Sequence, residues 1–372
     1  MFNSPIFQNR PTYVEISLNN LKNNVLVIRN IIGKNTKLMG VVKANAYGHG
    51  LVEISKELEK LNVDYLGTAY LEEAIYLREN GIKKPILVLG AITNSQVPLY
   101  LKYDVDMTGS SIEKIENISK VAKKLGKCAN IHLKIDTGMG RIGVQWDRKE
   151  KFIDKAYSLE NINIVGIFSH FSDSINDKIY TYLQSERFSK VLEYIKKNYK
   201  LPPIIHLANS GAVSNNYKDS FFDMARPGLM LYGYSFNPKI QRLLKPVMKF
   251  FTKVSYFKVL EKGYTVGYDR TYTTENRSRI ITLPVGYADG YPSTLSNKGY
   301  VYVNDKIYPL AGRVCMDQVM VSLGKTGEAY VGDTVELWGD NISLYKLSSL
   351  SERSIWDMLT SISERVPRIY KK

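Results

Sequence analysis

The sequence predicts an α/β protein: an N-terminal (β/α)8 TIM barrel followed by a C-terminal, mostly β domain. Three observations predict it. Eight short apolar runs of buried-strand length alternate with amphipathic helical stretches, as in a parallel sheet covered by helices. Beyond about Leu243 the texture changes to β-rich segments separated by Gly, Asn and Asp turns. The length, 372 residues, suits a barrel of roughly 200 to 250 residues plus one smaller domain.

After "TYVEIS", Leu21, Val25, Ile28 and Ile32 recur at helix-face spacing in "LNNLKNNVLVIRNII", and Gly33 ends the pattern. The strand runs follow as "KLMGVV", "DYLGTAY", "PILVLGA", "DVDMT", "NIHLKID", "INIVGIFSH", "PIIHLAN" and "FFDMARPG". Helical stretches separate them: "LVEISKELEKLN", "LEEAIYLREN", "SQVPLYLKY", "SSIEKIENISKVAKKLG", "KEKFIDKAYSLE" and "YTYLQSERFSKVLEYIKKN". The seventh unit has only a short helix after "HLANSGAVSNN". Eight such units fit a closed barrel better than an open sheet.

The β-rich part reads as "KFFTKVSYFKVL", "RSRIITLPVGYADG", "YVYVNDKIYPL", "VCMDQVMVSL" and "VGDTVELWG". A helical pattern, "YKLSSLSERSIWDMLTSISE", precedes "RVPRIYKK". The expected division is residues 1–243 for the barrel and 244–372 for the β domain, with residues 1–14 associating with the latter.

Lys plus Arg number 51 against 36 Asp plus Glu, a net charge of +15. The lysines are scattered along amphipathic stretches such as "KVAKKLGK", which reads as solvated helix faces rather than a nucleic-acid surface. A basic surface can still attract small anions. The N-terminus has no charged start followed by an apolar run, and no window reaches membrane-span length, so the expectation is a cytoplasmic chain with no membrane partner. Two cysteines, Cys128 and Cys315, form no disulfide framework and no metal-ligand spacing. Cys128 reads as a buried small residue.

In parallel barrels, chemistry gathers at the C-terminal ends of the strands. There this chain places Lys43 after "GVV", Lys134 and Asp136 in "HLKID" with Arg141 beyond, His170 after "GIFS", His206, Asn209 and Ser210 in "HLANS", and Arg226 after "DMA". So many cationic groups ask for an anion, since uncompensated buried charge is costly. The turns "MARPG" and "ANSG" offer backbone N–H groups to a phosphate. A lysine desolvated among cations loses proton affinity and becomes an amine nucleophile. Together these features point to a carbonyl cofactor that carries a phosphate. The alternative for Lys43 alone is a lysine snorkelling from the barrel.

The segments "VVKANAYGHG", "HLKIDTGMGRIG", "FSHF", "HLANSG", "DMARPGLMLYG", "TVGYDRTYT", "GYADGY", "GRVCMDQVMV" and "ERVPRI" resemble, in type, order and spacing, those of alanine racemases, which use pyridoxal 5'-phosphate (PLP). The resemblance runs from Thr12 to the C-terminus. It implies that Lys43 holds PLP covalently and then serves as a base on one face of the substrate. Racemisation needs a second acid/base on the other face. The resemblance assigns that role to Tyr268, presented by the partner subunit; the bland alternative is one strand tyrosine among 27.

By the same resemblance Arg226 faces the pyridine nitrogen, supported by His170. Arg141 lies near the PLP 3'-oxygen and the substrate carboxylate. Lys134 matches a lysine often carbamylated; a plain buried lysine is the other reading. Tyr47, Ser210, Gly228 and Leu229 hold the phosphate, with Asn209 close by. Met316 offers its N–H to the substrate carboxylate across the dimer. Tyr287, Arg313 and Asp173 line an entry channel.

One departure is Glu364, which stands before "RVPRI" where the family often has a tyrosine that crowds the substrate methyl and contacts the phosphate. A carboxylate there suggests a wider pocket. The expected function is therefore interconversion of L- and D-alanine for peptidoglycan, by a homodimer with shared sites acting on an amino acid. The alternatives are a racemase of serine or of a larger or basic amino acid, a fold-related PLP decarboxylase, and a non-catalytic PLP-binding protein.

Overall fold

Leu21, Val25, Ile28 and Ile32 all face inward from a helix over Leu18–Ile32 in the computed structural model, which describes residues 9–372. Gly33, at φ 80°, ends that helix by donating its N–H to Arg29 O. The chain divides into two units. One comprises Asn20–Ala46 and Gly50–Lys245; the other comprises, of the described residues, 9–19, Tyr47–His49 and Pro246–Lys372. Residues 1–8, which the sequence assigns to the β domain, lie outside the described residues.

In the first unit the strands Met224–Ala225, Lys37–Val41, Tyr65–Thr68 and Ile86–Val88 pair in parallel in that order. A second parallel set runs Met107–Gly109, Ala129–Asp136, Ile162–Phe168 and Ile204–His206. Two seams join the sets into a closed ring of eight strands. Asp106 N–H donates to Ile86 O at 2.9 Å across one seam, and Asp223 N–H donates to Ile205 O at 3.0 Å across the other. The strand side chains are mostly buried, because helices cover the ring from outside. Helices occupy Leu51–Lys60, Leu71–Glu79, Val97–Lys102, Ile112–Lys124, Lys149–Ser158 and Lys178–Asn198. The seventh, Ser210–Ser214, is as short as the sequence suggests.

The second unit centres on a six-stranded sheet in the order Lys306–Pro309, Tyr300–Val303, Thr334–Trp338, Met248–Lys253, Tyr13–Ser17 and Arg368–Lys371. Tyr13–Ser17 thus lies between Met248–Lys253, antiparallel, and Arg368–Lys371, parallel. A three-stranded sheet of Tyr256–Leu260, Ser278–Leu283 and Val319–Gly324 completes it. The run "KFFTKVSYFKVL" is therefore two strands in different sheets, and "VCMDQVMVSL" is a strand only from Val319. The C-terminal helical pattern is likewise two helices, Leu344–Ser351 and Ile355–Thr360, separated where Glu352 turns left-handed at φ 56°.

Tyr47–His49 group with the β unit because its C-terminal strand holds their carbonyls. Arg368 Nε donates to Gly48 O at 3.0 Å and Tyr370 Oη donates to His49 O at 3.1 Å. A Cβ on Gly48 would lie 2.1 Å from Leu359 O. Cys128 is exposed rather than buried: it sits in the polar "GKC" turn before Ala129, outside the strand whose inward positions the apolar residues take.

Candidate active site

Lys43 follows the first barrel strand, and the next four residues adopt a conformation that L-residues avoid. φ is 53°, 54°, 53° and 53° at Ala44, Asn45, Ala46 and Tyr47, a left-handed turn. Such geometry costs about 1–2 kcal/mol per non-glycine residue and needs surroundings that over-determine it. Here Ala46 N–H donates to Val42 O at 2.7 Å, and Leu51 N–H donates to Asn45 Oδ1 at 2.7 Å. Glu73 fastens the start of the turn, accepting from Ala44 N–H at 2.6 Å and from Ala69 N–H at 2.8 Å. Lys43 thus leaves the barrel from a fixed backbone.

Lys43 is half-buried, whereas Lys134 is the enclosed lysine, 3% exposed. Burial, then Arg141, lowers the Lys43 amine below its ordinary 10.5, with Glu73 opposing. Lys134 goes further, down to about 7, through burial and then Arg226. Its Nζ donates to Ile135 O at 3.1 Å and lies 4.9 Å from the Phe168 ring centre. No carboxylate pairs with it among the described residues. The nearby Asp136 instead accepts from Gly138, Met139 and Gly140 N–H at 2.9, 2.9 and 3.1 Å, which shapes the turn leading to Arg141.

Arg226 is buried and anchored by neutral acceptors. Its Nη2 donates to Ser169 O at 2.7 Å, Leu207 O at 3.1 Å and His170 Nδ1 at 3.3 Å. Its Nη1 donates to His206 Nδ1 at 3.1 Å. Burial pulls the guanidinium down to about 9, so it stays charged at neutral pH. Nε–H and one Nη1–H have no partner among the described residues. Both histidines are driven well below their ordinary 6.5, by burial first and then by Arg226; His170 also feels Lys134, Arg141 and Lys43. They are therefore neutral, and both Nδ1 atoms accept. Phe168 underlies the cluster, stacked on His206 at 4.8 Å with Arg226 Cζ 5.4 Å from its centre.

Ser210 Oγ accepts from Gly228 N–H at 2.9 Å and Met230 N–H at 3.4 Å, so "HLANSG" and "ARPGLM" meet as the sequence suggests. The Leu229 N–H has no acceptor among the described residues. Asn209 caps the following helix, accepting from Ala212 N–H at 3.1 Å and from Ser174 Oγ–H at 2.6 Å. Asp173 closes its own loop, accepting from Asn176 N–H at 2.9 Å and Ile175 N–H at 3.1 Å. The mouth of the barrel thus gathers Lys43, Lys134, Arg141 and Arg226 around two neutral imidazoles, while Asp136 and Glu73 are occupied by backbone N–H groups. Glu73 and Phe168 escape the sequence reading. Nothing ties Glu73 to a lysine thirty positions upstream, and Phe168 is only the first of two apolar letters in "FSHF".

The β unit carries its own candidates, on one ridge. The "GYADG" turn lies against the "VCMD" turn, with Tyr287 N–H on Cys315 O at 3.1 Å and Ala288 N–H on Met316 O at 3.0 Å. Gly286 permits this, since a Cβ there would be 2.2 Å from Met316 O. Tyr268 begins the next turn, after Gly267 at φ 74°, and Asp269 pairs with Arg313. Tyr268 is 69% exposed, Met316 53%, and the Met316 N–H has no acceptor among the described residues. Tyr47 belongs to this unit; it is buried, which pushes its phenol up to about 12. Glu364 is exposed, and the adjoining Arg365 bonds Asp289 at 2.6 Å and Asp317 at 2.8 Å.

Residues 16–236 match the family described as alanine racemase, N-terminal domain, and residues 247–370 match alanine racemase, C-terminal domain. An alanine racemase of Halothermothrix orenii is 41% identical over 97% of this chain and 97% of its own. Alanine racemase 2 of Caldanaerobacter subterraneus is 40% identical over 97% of this chain and 95% of its own. Among solved structures, an alanine racemase of Clostridium difficile 630 superposes with a TM-score of 0.92 at 36% identity, covering 97% of this chain and 96% of that one. That of Bacillus anthracis with bound L-Ala-P gives 0.90 at 31% identity, covering 98% and 95%.

Proposed function

The chain belongs to the alanine racemase family and interconverts L- and D-alanine; we propose that it does so with PLP held at the barrel mouth and with a second copy of the chain completing each site. The observation that carries this reading is the barrel's surplus of cations around an amine with lowered proton affinity. Four cationic side chains with no free carboxylate among them suit an anionic group, and a Lys43 amine pulled below its ordinary range suits a carbonyl. The two unoccupied N–H groups of Arg226 suit an acceptor such as a pyridine nitrogen.

In this reading Lys43 holds the coenzyme, Arg226 faces its ring nitrogen, and Ser210, Gly228 and Leu229 hold its phosphate, with Asn209 fixing the Ser210 helix. Bound PLP supplies an electron-withdrawing ring that acidifies the Cα–H of the amino acid. A fixed guanidinium opposes protonation of that ring, which restrains competing reactions. Lys43 Nζ moves a proton at Cα on one face. Tyr268 Oη of the second copy moves one on the other, and exposure of Tyr268 on its own protomer suits a group offered outward. Met316 N–H takes the substrate carboxylate, and Tyr287, Arg313 and Asp173 line the approach.

Lys134 is proposed to carry a carbamate. Its neutral amine adds to carbon dioxide, forming an N–C bond and releasing one proton to solvent, and the anion formed then pairs with Arg141. An amine at about 7, buried without a carboxylate partner, supports this.

No helix among the described residues is long and apolar enough to cross a membrane. The product role proposed is D-alanine for peptidoglycan, made in the cytoplasm. Substrate choice is tested on the purified chain reconstituted with PLP, by chiral separation of alanine, serine, lysine and arginine reactions. Alanine is expected to turn over at least about tenfold faster than the others. Faster turnover of serine or lysine would assign Glu364 a wider pocket and replace alanine as the substrate.

A further inference from the structure

The hydrogen bonds behind Arg226 do not stop at His206. His206 Nε2 lies 2.9 Å from His132 Nδ1, and His132 Nε2 lies 3.5 Å from Asp106 Oδ2. Tyr65 Oη donates to that same Oδ2 at 2.8 Å. All four side chains are buried, His132 and His206 completely. They come from four different barrel strands or their entries, and one glycine makes room for them: a Cβ on Gly166 would lie 2.2 Å from His132 Nδ1.

The chain admits one order of protons. A guanidinium only donates, so His206 Nδ1 must accept and His206 Nε2 must carry the hydrogen. His132 Nδ1 then accepts, which puts the second hydrogen on His132 Nε2, a buried atom with no hydrogen bond of ordinary length. Its only ionic neighbour among the described residues is the Asp106 carboxylate. The phenol of Tyr65, raised by burial and then by Asp106, remains a donor to Oδ2, and the carboxylate stands beside the His132 Nε2–H as its ionic neighbour without a hydrogen bond of ordinary length.

We propose that Asp106 is the anionic terminus of a buried Asp–His–His–Arg chain and acts as a positioning residue for Arg226, fixing both imidazole tautomers so that His206 always accepts from the guanidinium. Asp106 is separated from Arg226 by the two imidazoles and acts only through them. The logic is that of a buried carboxylate that orients a catalytic histidine. Its use in racemisation rests on the reading of Arg226 given above, but the proton order does not.

The variant that separates charge from packing is Asp106→Asn. An amide of the same shape can turn its NH2 toward His132 Nε2, which reverses both tautomers and sets His206 Nδ1–H against Arg226 Nη1–H. The chain has only four histidines, so ring-nitrogen NMR shifts of 15N-histidine-labelled full-length protein are assignable by single substitutions. Wild type is expected to show Nε2–H at both His132 and His206. Asp106→Asn should convert at least His206 to Nδ1–H or to a mixture, and lower kcat by about tenfold or more with little change in KM for alanine. Tyr65→Phe, which keeps the carboxylate, should retain the wild-type tautomers and most of kcat.

Wild-type tautomers and kcat in Asp106→Asn would overturn the proposal, even if its melting temperature fell. Loss of the wild-type tautomers in Tyr65→Phe together with an unchanged Asp106→Asn would overturn it too. If Asp106→Asn does not fold, the Nδ1–H form of His206 in wild type is enough to refute it, and the Nε2–H form there with tautomers retained in Tyr65→Phe supports it. These ring shifts are read with or without PLP, so failure of the coenzyme reading leaves them intact.

Discussion

The barrel mouth and the ridge of the β unit hold their candidate side chains in opposite ways. At the barrel mouth, Lys134, Arg226 and His206 are enclosed and His170 is half-buried, and each is tied to backbone or to another member of the cluster. On the ridge, Tyr268 and Met316 stand exposed, and only the turns beneath them are fastened. Enclosure changes chemistry, because burial and like charge lower the amines of Lys43 and Lys134. Exposure leaves a side chain available to something outside its own unit. One region is an electrostatic site already set up; the other is, in the proposed reading, half of a contact.

The largest way to break this contrast is to remove the amine. Lys43→Ala should lower racemisation by about a thousandfold or more, measured by chiral chromatography, while the fold is retained. Activity within tenfold of wild type would mean that the barrel mouth is not the reacting centre.

Next comes Tyr268→Phe, which removes one hydroxyl from an exposed position and should leave the melting temperature unchanged. Interconversion should fall by roughly a hundredfold or more. Exchange of the Cα hydrogen with deuterated solvent should survive for one enantiomer, the one whose hydrogen faces Lys43. Equal retention of exchange and interconversion would remove Tyr268 as the second base.

Lys134 gives a smaller effect with a definite sign. Its folded pKa is about 7 against an ordinary 10.5. Below about 7 both the folded and unfolded chains carry the proton, and the fold bears the full cost of burying it. From there toward 10.5 the fold sheds a proton that the unfolded chain keeps, so stability rises with pH. In carbon-dioxide-free buffer, urea unfolding should show that rise, and Lys134→Met should flatten it. A parallel slope in the variant would count against the assignment.

The smallest effect concerns the strained turn. Ala44 is exposed at φ 53°, so Ala44→Gly should raise stability by about 1 kcal/mol, read from the urea midpoint. A loss of stability would show that the turn is not strained at that residue.

The sequence carries the barrel more fully than the site. "KLMGVV" has the length and composition of an enclosed strand, so Lys43 at its end is legible. The left-handed turn is not, because in "ANAY" only asparagine favours that region and no glycine marks it. Burial is misjudged where composition is the only guide. Cys128 is exposed because it falls just before a strand.

Long-range polar contacts are invisible for a different reason. Asp106 is one letter of "DVDMT", and Glu73 lies in an ordinary amphipathic helix. Each acquires its meaning only when another strand end arrives beside it. In the β unit, "VCMDQVMVSL" looks like one strand by alternation, yet its first half bends to lie against the "GYADG" turn. That bend exposes Met316.

Mixing Lys43→Ala and Tyr268→Phe subunits tests the central claim, that two half-sites on different copies make one active site. Each variant alone is expected to be nearly inactive. After the two are unfolded and refolded together in equal amounts, random pairing leaves one intact site in half of the dimers, so about one quarter of wild-type activity should return. A mixture as inactive as its parents would contradict the account and place both bases on a single chain.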